Sequence, residues 1–118
     1  MSLTINHQTN NISSTSSTLA VTGAIVASGN VTAYSDERLK DNIETIEGAL
    51  GKVETMRGVT FTKDGELSSG VIAQEIEQIA PELVIDGDYK SVAYGNLVGY
   101  LIEAVKELSD KVKELEAR

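Results

Sequence analysis

The sequence predicts an α+β protein: a short uncharged β stem over residues 1–34, then a mixed α/β domain over residues 35–118 that ends in a long helix. Three observations predict it. All 28 charged residues of the 118-residue chain lie from Asp36 onward, whereas residues 1–34 hold 16 Ser, Thr or Asn and no Asp, Glu, Lys or Arg. Apolar residues alternate with a period of two before that boundary and recur at helical spacing after it. The C-terminal stretch from Tyr94 keeps a 4, 3, 4, 3, 4, 3 spacing of apolar residues, the mark of a heptad seam.

In the stem, a polar tract NNISSTSST precedes LAVTGAIVASGNVTAY, where Leu19, Val21, Gly23, Ile25 and Ala27 alternate with Ala20, Thr22, Ala24 and Val26. That alternation predicts extended strand, with Ser28–Asn30 as a turn between two short strands. Two strands do not stand alone in water, so the stem calls for partner chains or a longer stem; a flexible Ser/Thr linker is the competing reading. From Ser35, Leu39, Ile43, Ile46, Leu50 and Val53 fall on one helical face, and Gly48 and Gly51 mark where that helix ends or bends. RGVTFT reads as a strand followed by a turn at Lys63–Gly65, Gly70–Ala73 as a second strand, and Gln74–Ala80 as a short helix stopped by Pro81. Asp86-Gly87 between LVI and DYKSV reads as a tight hairpin turn.

The seam is Tyr94, Val98, Leu101, Val105, Leu108, Val112 and Leu115, on a helix over about residues 94–117. Val at a with Leu at d leans towards two strands, while Ile102 at e widens the apolar stripe enough for a third helix, so these positions leave the order open. A helix packed only on its own domain is the alternative. Glu103 with Lys106, Glu107 with Lys111, Asp110 with Lys113 and Glu114 with Arg118 are spaced for ion pairs along it.

Composition excludes several functions. A formal net charge of −8 opposes a nucleic-acid partner or an anionic membrane. No run approaches the roughly 20 apolar residues of a spanning helix, and no basic stretch with an apolar core follows Met1, so neither membrane insertion nor a secretory signal is expected. With no Cys and a single His7 in a polar tract, neither a disulfide nor a metal site is expected, and no cofactor. GALGK at 48–52 is no phosphate loop, since only two residues separate its glycines and Val53 follows the lysine. Asp86 and Asp88 open like a calcium loop, but Lys90 and Ser91 stand where an oxygen ligand and Gly are needed. Asn11 and Asn30 match the glycosylation pattern by chance in a chain without a secretory signal.

One constellation remains, SDERLKDNI at 35–43, at the composition boundary. Together with IETIEGALGKV, RGVTFT, GVIAQEIE, APELV and LIEAVKEL in that order, it resembles the C-terminal intramolecular chaperone domain of phage tailspikes and tail fibres, the endosialidase-type self-cleaving serine peptidases of the S74 family. The resemblance runs over about residues 33–116, and GAIVASGNVTAY before it resembles the end of a fibre stem. Thr62 stands where Trp is frequent in the family, and Ala93 precedes Tyr94 where Asp is common.

The resemblance implies a homotrimer through the stem and the C-terminal coiled coil, with the attached fibre stem as folding client, followed by a single self-cleavage. It implies a virion tail fibre or spike precursor folded in the host cytoplasm, whose released chaperone fragment is not retained. Carried over residue by residue, Ser35 is the nucleophile, Lys40 its base and the Tyr34–Ser35 bond the target. The chemistry is coherent: a serine hydroxyl needs a base, and a lysine serves only when neutral, a state that burial or a nearby cation such as Arg38 favours. On one regular helix the two side chains stand about 140° apart, so Ser35 is expected before the first turn, with Lys40 reaching back or meeting the serine of another protomer. Ser35 followed by Asp36 and Glu37 also reads as a plain helix N-cap. A non-cleaving structural trimerisation tip is the alternative function.

Overall fold

The first strands form before and within the polar tract rather than in the apolar alternation. In the computed structural model, which describes residues 2–118, β1 (Leu3–Asn6) and β2 (Asn11–Ser14) pair antiparallel with Ile5 opposite Ile12. Asn6 Oδ1 accepts from the backbone N–H of Gln8 at 3.0 Å and of Thr9 at 3.3 Å, which shapes the turn. Asn10 closes it at φ 58°, a left-handed conformation that Asn tolerates better than most residues. The strands expected over residues 19–34 do not form. Only bends remain there, at Thr22–Gly23 and at Ser28–Gly29, and Val26 is 93% exposed. A strand exists only as half of a pair, and among the described residues this segment has no strand paired with it. That unit extends to Asp41; Asn42–Arg118 form a second.

The helix expected from Ser35 is also replaced. A single 3-10 turn covers Glu37–Leu39, irregular chain follows, and α1 runs over Ala49–Thr55. Asn42 at φ 53° and Gly48 at φ 65° take left-handed conformations that no continuous right-handed helix contains. Gly48 therefore starts a helix rather than ending one. Of the five residues assigned to one face, Leu39 and Ile43 are exposed, while Ile46 and Val53 reach the core.

In the second unit, β3 (Val59–Lys63) and β4 (Glu66–Gly70) pair antiparallel around Asp64 (φ 52°) and Gly65 (φ 81°), the two positive φ angles of a tight hairpin turn. The second strand thus ends at Gly70 instead of starting there. α2 (Ala73–Ile79) stops ahead of Pro81, which opens a 3-10 turn over Pro81–Leu83. β5 (Val84–Ile85) and β6 (Ser91–Val92) make the expected hairpin, but its loop is wide, with Ile85 opposite Ser91 and no positive φ at Gly87. Lys90 closes that loop instead, bonding Asp86 and, at 3.1 Å, Glu77 on α2; both carboxylates raise its pKa. A 3-10 turn at Tyr94–Asn96 leads into α3 (Leu97–Glu116). Ala93 stands at the cap of that turn with no side-chain bond to offer. A Cβ at Gly70 would lie 2.5 Å from the Tyr94 hydroxyl, so a larger residue there would have to push the Tyr94 ring aside.

Ile76, Ala80, Leu83 and Tyr100 form the buried core, with Ile46, Val53, Met56, Val71, Val84 and Leu97 packed around them. α1 lies against α3. Since Gly48 has no side chain to cap α1, its first turn is capped from α3, where Glu107 Oε2 accepts from the Leu50 N–H at 2.9 Å. The Tyr100 hydroxyl donates to Glu82, and burial followed by that carboxylate pushes its pKa up to about 12. A phenol near 10 in the unfolded chain and near 12 in the folded one contributes stability that is complete below pH 10 and lost as the pH climbs towards 12. Urea unfolding across this range should therefore reveal an alkaline loss in the wild type that Tyr100→Phe lacks, the variant being weaker at neutral pH by about 1–2 kcal/mol.

Candidate functional site

Lys40 Nζ lies 2.7 Å from Ser35 Oγ, in the same chain. The contact arises from the 3-10 turn. Leu39 N–H donates to the Asp36 carbonyl and Lys40 N–H to the Glu37 carbonyl, each at 3.0 Å. The chain then leaves the turn at Lys40 in an extended conformation, φ −123° and ψ 138°. Exit after one tight turn sends the lysine side chain back over the residue that precedes the turn, which a regular α-helix does not do.

The N-cap role falls to Asp36, not Ser35. Asp36 Oδ1 accepts from the Arg38 backbone N–H at 2.8 Å, leaving the serine hydroxyl to the lysine. Asp36 also holds the Arg38 guanidinium through both oxygens, at 3.0 Å from Nε and 2.8 Å from Nη2. This pairing lowers the Asp36 pKa and raises that of Arg38. Arg38, named above as a possible cation near Lys40, has its charge matched by Asp36. Tyr34 is 95% exposed and edges an open cleft with Asn10, Asn11, Thr32 and Ala33, so the Tyr34–Ser35 bond is reachable by water. Chemically the pair holds a hydroxyl beside an amine. The ammonium form donates to Oγ, and the neutral form accepts the serine proton.

The second candidate feature is α3, which has two different apolar faces. Tyr100 and Ala104 are buried against the helix's own unit. Val98, Leu101, Val105, Leu108, Val112 and Leu115 are 45–65% exposed, and Val98, Leu101, Ile102 and Val105 line a groove with the stem of Lys106. The helix therefore packs on its own domain and still leaves the heptad seam open, so those two readings are compatible. Tyr94 differs from the rest of the seam: it lies in the 3-10 turn, and its hydroxyl accepts from the Val71 N–H at 3.2 Å. Glu103–Lys106 and Glu114–Arg118 form ion pairs, at 3.5 and 3.1 Å. Glu107 turns to α1 instead of Lys111, and among the described residues Asp110 makes no ion pair with Lys113.

Residues 35–85 match the family described as chaperone of endosialidase, peptidase S74. This segment belongs to the endosialidase-chaperone family. The chain is 37% identical over 102 residues to long tail fiber protein Gp37 of Enterobacteria phage K3, covering 75% of this chain and 8% of that protein. Gp37 of Enterobacteria phage M1 is 35% identical over 95 residues, 69% of this chain and 38% of that protein. Gp37 of Salmonella phage S16 is 32% identical over 96 residues, 69% of this chain and 13% of that protein. The chain thus spans about 8% of the length of the first of these relatives.

The endosialidase-chaperone segment opens at Ser35 itself and closes at Ile85, inside the β5–β6 hairpin. Two of its contacts escape a reading of sequence periodicity. The Asp36 cap was hidden by the equally good cap chemistry of Ser35, although an Asp two positions before an Arg is spaced for a fork. The Glu107 cap of α1 joins residues far apart in the chain, and no local signal announces it.

Proposed function

We propose that this chain is the terminal chaperone of a phage tail fibre: it associates as a homotrimer through the α3 seam and the uncharged stem, registers the attached fibre, and then cuts itself once between Tyr34 and Ser35. One observation carries the cleavage reading, the 2.7 Å contact of Lys40 Nζ with Ser35 Oγ, made while Asp36 takes the cap position. The reaction balances on these residues. The Ser35 hydroxyl attacks the Tyr34 carbonyl carbon as neutral Lys40 takes its proton. The tetrahedral adduct collapses, the C–N bond breaks, and the lysine returns the proton to the departing Ser35 nitrogen. The resulting ester joins Tyr34 to Ser35 Oγ, and water opens it to a Tyr34 carboxylate and a free Ser35 amine. Mass spectrometry of the full chain, with Ser35→Ala and Lys40→Ala beside it, tests this reading.

The chaperone role follows from order along the chain. Registering three extended stems is slow, because loop-closure entropy must be overcome before non-local contacts form. A C-terminal trimer holds the three chains at high effective concentration. Removing residues 35–118 from the natural full-length fibre should lower the yield of soluble trimer several-fold, and an unchanged yield would remove the chaperone role. The alternative, a structural tip that never cuts itself, is favoured by the seam alone, whose exposed residues need no dyad.

A further inference from the structure

We propose that Asp36 and Arg38 are positioning residues for self-cleavage, fixing the single 3-10 turn that brings Lys40 Nζ onto Ser35 Oγ. The inference rests on the reading of Ser35 and Lys40 as nucleophile and base. A turn of three residues closed by two backbone hydrogen bonds has no cooperative stability of its own. Here it is stapled from within. Asp36 caps the turn through the Arg38 N–H and clamps the Arg38 side chain with both carboxylate oxygens. Both side chains are substantially exposed, Arg38 at 88%, and among the described residues the Arg38 side chain bonds nothing but Asp36. An exposed pair of this kind adds little to global stability. Its effect is local: it selects the backbone shape from which Lys40 exits towards Ser35. Arginine suits the role because its planar fork fits a carboxylate through two nitrogens at once, which lysine does not reproduce. The hydrogen bonds from Arg38 lower the Asp36 pKa, so the carboxylate that forms the staple stays charged in the neutral and alkaline range.

The test uses the full chain and two readouts: the rate of appearance of the Ser35 fragment as a function of pH, and the NMR cross-peak between the Ser35 β and Lys40 ε protons. Asp36→Ala should slow cleavage about tenfold, and Asp36→Asn and Arg38→Lys about threefold each, since Asn keeps the cap acceptor and Lys keeps the charge. The pH–rate curve should drop without moving along the pH axis, oligomer mass should stay constant, and the cross-peak should vanish in Asp36→Ala. Cleavage at the wild-type rate with the cross-peak retained in Asp36→Ala would overturn the proposal. So would a curve displaced along the pH axis, which would mean that Asp36 acts on the lysine by its charge. If the wild type never cleaves, the dyad reading falls separately, and the cross-peak alone decides whether Asp36 and Arg38 hold the pair together.

Discussion

Incubated at about pH 8, the wild-type chain should yield a fragment beginning at Ser35, while Ser35→Ala and Lys40→Ala stay whole for days, at least about a thousandfold slower. Without Oγ there is no nucleophile, and without the amine no other described residue is hydrogen-bonded to Oγ to accept its proton. Because the two residues act as a unit, the double substitution should be no slower than either single one. As general base the lysine works only in its neutral form, so the rate should rise with pH for as long as the ammonium predominates. A structural serine would behave otherwise: its replacement would cost about 1 kcal/mol at most, with no pH-dependent covalent change. Since Asp36 is the residue that caps the turn, Ser35→Ala should leave unfolding midpoint and oligomer mass unaltered. Wild-type protein that stays intact between pH 6 and about 9 would leave the structural tip as the function.

Replacing both Leu101 and Leu108 with Asp should convert a trimer into monomers, read by light scattering as a threefold fall in mass. In the assembled seam each carboxylate would be desolvated without a partner, at several kcal/mol apiece. The monomer should nonetheless keep its helical circular dichroism. Both leucines are about half exposed in the single chain, whereas the residues that tie α3 to its own domain are Tyr100, Ala104 and Glu107 on another face. The contrasting substitution Ala104→Asp should unfold the domain itself. A wild-type chain that is monomeric at micromolar concentration would rule out the seam as an interface.

What the sequence determined by itself are the features fixed by chemistry a few residues apart. Asp64-Gly65 supplies the two positive φ angles that its hairpin demands, Pro81 stops α2, and the heptad spacing after Tyr94 writes one long helix with an apolar seam. The SDERLK motif singles out Ser35 and Lys40 only through its family resemblance, since local chemistry alone reads Ser35 as a helix cap. Tertiary structure decided the rest. Residues 19–27 have the alternation of a strand, but a strand needs a neighbour to bond to, so the less apolar stretch that folds back on itself, Leu3–Ser14, pairs instead. Leu39 to Val53 keep helical spacing, yet left-handed Asn42 and Gly48 divide them, because α1 must begin where Glu107 can cap it and Ile46 and Val53 can reach the core. Periodicity places Ser35 and Lys40 on different sides of a regular helix. They meet across a single 3-10 turn with Asp36 at its cap, a backbone shape that the helical spacing of residues does not announce.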